Sequence, residues 1–304
     1  MQAGYDKIEN LRGYFMSANT DEYRRLVLDD IKNFEGLWRP VRASLLERLL
    51  VRKTDPEKLH PNPGDEFSMP EIGPNYEIVG RYVSSFVYAL KKGIEPMEDP
   101  LEVQKVSTGG YMILNGHHRW MAARRLSLEE VPVHIVNLTS EESILKQLDK
   151  SGKKMCVSFD LDEVLLTDGG RCPAEKNLCF PFSRIYRSTL RKHAALLIKE
   201  LRKAGFDVWV YTGKYYSEEY IRLLFLLYGT RTDGIINGLS KNRSSGMKQA
   251  FSHKYAVSLH IDNDSIICVD TKTKEYQIHE LASDGASWAS EAMKVLKGLD
   301  FHVS

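Results

Sequence analysis

Two aspartates one residue apart, Asp160 and Asp162, stand where the apolar run Val157-Ser158-Phe159 stops. Such a run reads as a buried strand, whose side chains alternate faces, so both carboxylates are expected on one side. Like charges held that close repel, and a divalent cation is the usual remedy. The carboxyl end of a parallel strand is also where open α/β sheets place their ligands. Two later strand patterns end in comparable groups: Val208 to Tyr211 runs into Thr212-Gly213, and Val257 to Ile261 runs into Asp262-Asn263-Asp264. Parallel pairing would bring all three ends to one edge.

The chemistry such an edge supports is phosphoryl transfer. Asp160 is placed to attack phosphorus, because carboxylates form aspartyl-phosphates. Asp162 is placed to protonate the leaving oxygen and later to deprotonate water. A hard cation such as Mg²⁺ would sit on Asp160 and Asp262, with Asp162 and Asp264 completing the acidic set. Thr212 and the backbone N–H groups after it would bind the transferring oxygens, and a lysine would neutralise their charge. Lys241, Lys248 and Lys254 compete for that role, with Lys248 favoured because it opens the helix before the last strand. A lone Asp-x-Asp is common in turns; the ordered set of three strand ends is what favours catalysis.

A second pointed stretch is Leu114-Asn115-Gly116-His117-His118-Arg119-Trp120. A strand stops at Asn-Gly and a helix begins among His117, His118 and Arg119. Helix N-terminal donors, imidazole and guanidinium together suit a phosphate. The competing reading, that His118 or Arg119 only caps the turn, is not separated from it by spacing.

The elements that position these groups alternate along the chain. Helical patterns run from Thr20 to about Val51, broken at Arg39-Pro40 and resuming over Val41 to Leu50. Prolines and glycines crowd residues 53–75, which reads as loop. A helix from Tyr76 to Lys92 ends at Gly93, a hairpin is predicted over 99–114, and Val131 to Val136 is a strand. After a polar helix over Glu141 to Lys150, Ser151-Gly152-Lys153-Lys154 signals a linker, dividing the chain into domains 1–150 and 151–304. The second then reads strand–helix throughout, implying a parallel sheet with helices on both faces.

The chain has 304 residues, a formal net charge of +1 and four cysteines without CxxC spacing. That balance does not indicate a strongly basic nucleic-acid binder, and zinc or a disulfide framework is not expected. Without a signal pattern or a long apolar run, the expectation is a cytoplasmic protein with no membrane segment.

Residues 50–138 resemble the ParB/sulfiredoxin superfamily in Gly116, His118, Arg119, Ala122 and the Val131-Pro132-Val133 strand. The resemblance implies an α+β module that cradles nucleotide phosphates at Gly116, His117, His118 and Arg119, with ATP or CTP as ligand. His117 stands where sulfiredoxins need cysteine, and Asn115 stands where free-serine kinases are acidic. Residues 153–299 resemble the haloacid dehalogenase superfamily in Phe159-Asp160-Leu161-Asp162, Val210-Tyr211-Thr212-Gly213, Lys248 and Ile261-Asp262-Asn263-Asp264. This resemblance implies a Rossmannoid Mg²⁺-dependent phosphohydrolase, with Asp160, Asp162, Thr212 and Lys248 catalytic. Glu163 departs from the usual Gly or Asn.

Both positions where that family inserts cap domains are short here, which favours an open site and a bulky phosphate monoester, such as a nucleotide or a nucleic-acid end. The basic residues Arg184, Arg187, Arg191 and Lys192 lie near the first of them. They read equally as a contact for a polyanion or as a solvated face. The leading expectation is a phosphatase fused to a nucleotide-binding module. The alternatives are a kinase–phosphatase, which Asn115 disfavours, and a non-catalytic DNA- or partner-binding protein.

Overall fold

A computed structural model describes residues 19–34, 38–167, 170, 172–238, 244–270, 275–281 and 287–298. They form two compact units that divide between Asn137 and Leu138. The predicted linker at 151–154 therefore lies inside the second unit. Helix Glu141–Lys150 buries Ile144 and Leu148 against Cys156, Trp209 and Tyr255. That burial, which the polar helix pattern does not announce, assigns it to the second unit.

In the first unit, helices α1 (Asn19–Tyr23) and α2 (Asp29–Phe34) flank a π-turn at Arg24–Leu28. Helix α3 is shorter than its pattern suggests and spans Leu45–Leu50, because Ser44 accepts the Glu47 N–H and starts it there. The proline-rich stretch holds more order than a loop: strands β1 (Lys53–Thr54) and β2 (Leu59–His60) and two 3₁₀ turns begun by Asp55 and Asp65. Helix α4 runs Tyr76–Lys92 as predicted, capped by the Asn75 side chain and stopped by Gly93 at φ 69°. Strands β3 (Leu101–Lys105) and β4 (Tyr111–Asn115) form the predicted antiparallel hairpin. Helix α5 (His117–Arg125) and strand β5 (Val131–Ile135) follow, and the sheet order is β1-β5-β3-β4-β2.

The second unit begins with α6 (Glu141–Lys150) and β6 (Met155–Asp160). A π-turn at Leu161–Leu165 leads into a small hairpin, β7 (Leu166–Thr167) with β8 (Thr189–Leu190), which encloses the short helix α7 (Phe182–Ile185). Then come α8 (Ala194–Lys203), β9 (Phe206–Thr212), α9 (Glu218–Leu227), β10 (Gly234–Asn237), α10 (Ser244–Lys254), β11 (Val257–Ile261), β12 (Ser265–Asp270), β13 (Tyr276–Glu280) and α11 (Trp288–Gly298). The sheet order is β10-β9-β6-β11-β12-β13. Its first four strands are parallel, as predicted, while β12 and β13 extend it antiparallel and were not foreseen.

One face of this sheet buries Val157, Phe159, Val208, Val210, Leu259 and Ile261 with the apolar stripes of α8, α9 and α11. The other face packs Cys156 and Trp209 beneath α6 and α10. Among the described residues no helix is long and apolar enough to cross a membrane. All four cysteines are free thiols.

Candidate functional site

Strands β9, β6 and β11 are parallel neighbours, with Phe159 opposite Ile261 and Asp160 opposite Tyr211. Their carboxyl ends therefore bring Asp160, Thr212 and Asp262 to one edge. Asp160 is the last strand residue, and its Oδ1 accepts the N–H groups of Asp162 and Glu163, each at 2.8 Å. This caps the π-turn, so Asp162 sits in a helical turn and strand alternation does not place it. What holds Asp162 is a set of donors from the loop after β9. Thr212 Oγ1 donates to its Oδ2 at 2.5 Å, Tyr216 donates to Oδ1 at 3.1 Å, and the Lys214 ammonium lies 2.8 Å from Oδ1. The Lys214 N–H in turn donates to Thr212 Oγ1 at 3.0 Å. Lys214 is held above its ordinary pKa, chiefly by the Asp162 contact.

Lys214 and Tyr216 escaped the sequence reading. The available signal was the Thr-Gly-Lys order directly after a strand end. The lysines considered instead fare differently. Lys254 donates to the Ser151 carbonyl, away from the strand ends. Lys241 and the Lys248 side chain lie outside the described residues.

The Asp262 turn is braced from several sides. Asp262 accepts the Asn263 N–H at 2.7 Å, and Trp288 Nε1 donates to the Asp262 carbonyl at 3.0 Å. Asn263 donates to the Glu163 carbonyl at 3.0 Å and accepts from Arg191 at 2.8 Å. Arg191 is buried, with its guanidinium 4.4 Å from the Trp288 ring centre, and burial lowers its pKa. It supports the site from beneath and does not belong to a basic surface. Asp264 is exposed, and among the described residues no three His, Cys, Asp or Glu side chains gather to hold a metal ion. The four-carboxylate set expected from spacing is thus not assembled. Asp264 points to solvent, and Asp162 is engaged by Thr212, Lys214 and Tyr216.

Tyr211 lies at the floor of this edge. Its hydroxyl meets His260 Nε2 at 3.0 Å, and His260 Nδ1 meets Ser158 Oγ at 3.2 Å. Ser158 Oγ also donates to the Leu259 carbonyl at 3.2 Å. Burial pushes the Tyr211 pKa up, and Asp160, Asp262 and Glu163 push it further. An open cleft of about 510 Å³ above is lined by Asp162, Glu163, Thr167, Cys172, Lys214 and Asn263.

In the first unit, Gly116 has φ 102°, and α5 begins after it without a side-chain cap. A Cβ on Gly116 would lie 2.5 Å from a Leu101 methyl. The neighbouring side chains are largely committed to the fold. His117 Nε2 accepts the Asn62 N–H at 3.2 Å and His118 Nε2 accepts the Asn75 N–H at 3.0 Å. Arg119 donates to the Asp99 carbonyl at 2.6 Å. The backbone N–H groups at the start of α5 remain to meet an anion, while the two imidazole acceptors are engaged by the Asn62 and Asn75 N–H groups. Glu102, opposite Asn115 in the hairpin, lies beside this turn, and burial raises its pKa.

Burial pulls the His117 pKa down to about 4, against a smaller opposing pull from Asp65. Its folded value is below the unfolded one of about 6.5, so the unfolded chain binds the extra proton between those limits. The stabilisation is complete above pH ~6.5 and is lost as pH falls toward ~4, by roughly 3 kcal/mol. Chemical denaturation of the first unit at pH 7 and pH 4.5 checks this. His117→Asn is expected to flatten the dependence.

The ParB N-terminal domain model matches residues 84–151. This part of the chain is ParB-like. Among solved structures, the chain is similar to the C-terminally truncated chromosome-partitioning protein ParB from Caulobacter crescentus, complexed with CTP-gamma-S. The identity is 22%, over 34% of this chain and 55% of that chain, with a TM-score of 0.23. The likeness thus spans about half of that protein's length. No curated protein matches the chain.

Proposed function

We propose that the second unit is a phosphohydrolase acting through an aspartyl-phosphate on Asp160, as its resemblance to haloacid dehalogenases implies. The observation that supports it most is the joining of two strand ends at Asp162, by Thr212 and Lys214, beside Asp160. One Asp160 oxygen is occupied by two backbone donors, which fixes the carboxylate and leaves the other oxygen for attack. Asp162, oriented by Thr212 and Tyr216, handles the leaving-group proton. Asp160 and Asp262 lie at the carboxyl ends of the neighbouring parallel strands β6 and β11, and such a two-carboxylate set suits a cation that keeps most of its waters, such as Mg²⁺. When bound, the ion would offset phosphate charge and polarise the phosphoryl group. The open cleft suits a bulky monoester, such as a nucleotide or nucleic-acid end. The test is magnesium-dependent hydrolysis of an aryl phosphate by the full chain and by Asp160→Asn; an inert native chain, or equal rates in both, overturns the reading.

A second reading concerns the first unit, and the ParB N-terminal match favours it. We propose that the start of α5 binds the phosphates of ATP or CTP and that this unit brings the chain to nucleic acid or a partner. A saturable rise in melting temperature with either nucleotide is expected; no rise with both rejects the nucleotide site. Phosphoryl transfer from ATP by this unit is the less favoured alternative.

A further inference from the structure

We propose that Lys214 is the cation that receives the substrate's phosphate, and that its ion pair with Asp162 is the resting form of that contact. This rests on the phosphohydrolase reading. The Lys214 ammonium lies 2.8 Å from Asp162 Oδ1, yet the Lys214 side chain is 64% exposed and that of Asp162 only 15%. The lysine thus covers the carboxylate from the solvent side, across the path by which a phosphate enters. Its backbone is fixed by the Lys214 N–H bonded to Thr212 Oγ1, while its ammonium is held through side-chain contacts with Asp162 and Tyr216. Among the described residues lining the cleft it is the cation, facing Asp162 and Glu163.

A phosphate dianion entering this cleft meets two like charges, and a contact from Lys214 offsets them. The exchange is easy, since an ion pair with so exposed an ammonium is weak in net energy. A charge-assisted bond to a doubly charged phosphate is the stronger partner. Substrate entry would then uncover Asp162 Oδ1 in the same motion, on the oxygen that Tyr216 also touches. The balance of the step is simple. Asp160 forms a new O–P bond, the P–O bond to the leaving group breaks, and its electron pair departs on an oxygen that takes a proton from Asp162, which picks that proton up from water once Lys214 has left its Oδ1. Lys214 forms no covalent bond; it moves from one anion to another.

The experiment uses the full chain with p-nitrophenyl phosphate and saturating magnesium, comparing native protein, Lys214→Ala, Lys214→Arg and Asp160→Asn. Lys214→Ala is expected to raise KM, and the inhibition constant of inorganic phosphate, by at least about tenfold, with a smaller fall in kcat. Lys214→Arg should recover most of the affinity. If native protein is active, Asp160→Asn is inert and Lys214→Ala keeps native KM and phosphate inhibition, the Lys214 proposal is overturned while the phosphohydrolase reading stands. If no form turns over, the phosphohydrolase reading fails instead. Calorimetric titration of inorganic phosphate then judges Lys214 separately: affinity lost in the alanine variant supports it, and equal affinity overturns it.

Discussion

Asp160→Asn is expected to reduce aryl-phosphate hydrolysis by a factor on the order of 10⁴ or more, equivalent to about 5 kcal/mol of barrier. On the proposed mechanism the size follows from removing the attacking group itself, since a carboxamide oxygen carries no full negative charge. The fold should scarcely notice. Asparagine is isosteric, and its Oδ1 can still accept the N–H groups of Asp162 and Glu163 that cap the π-turn. Melting temperature within a few degrees of native, with turnover gone, is the expected pair of results. A large loss of stability instead would show that the carboxylate charge is needed to hold the turn. Retained turnover with an intact fold would remove Asp160 from the chemistry.

Gly234→Ala is expected to destabilise the second unit by about 3 kcal/mol or more. Gly234 lies on β10 opposite Trp209, and a Cβ built on it would sit 2.1 Å from the indole ring. The ring has little room to yield. Its Nε1 donates to Tyr255 at 2.9 Å, Tyr255 donates to Asp207 at 2.8 Å, and Phe251 packs edge-on at 4.7 Å. Shifting Trp209 therefore breaks a buried polar pair and a packed aromatic cluster together. A fall in melting temperature of roughly 10 °C for this unit's transition is the measurement to make. An unchanged transition would mean that β10 slides along β9 to make space. Because Gly234 pairs with Trp209 in the middle of β9, three residues before Thr212, turnover per folded molecule should persist.

Much of the frame could be read from local pattern. Helix α4 announces itself with an Asn cap, an amphipathic stripe and a terminal glycine, all within its own residues. The three strand ends at Asp160, Thr212 and Asp262 were likewise predictable, because strand length and alternation are short-range properties. Parallel pairing then follows from the strand–helix alternation and brings the ends together.

What the pattern could not contain is anything set by contacts across large sequence separation. Helix α6 joins the second unit because Ile144 and Leu148 find Trp209 and Tyr255, residues far along the chain. Strands β12 and β13 exist as antiparallel partners of β11, a pairing that no local period encodes. Arg191 looks like part of a basic surface by composition, and only packing against Trp288 and Asn263 makes it a buried brace. The same limit separates the two aspartates that began the reading. Asp160 is placed by its strand, as its spacing implies. Asp162 is placed by donors some fifty residues later, Thr212, Lys214 and Tyr216, and its partners were invisible until the loop after β9 folded over it. Sequence alone determined that carboxylates and a threonine would meet at one sheet edge. The tertiary structure brought Lys214 to Asp162, because side-chain pairing depends on where a loop returns in space, and periodicity carries no record of that.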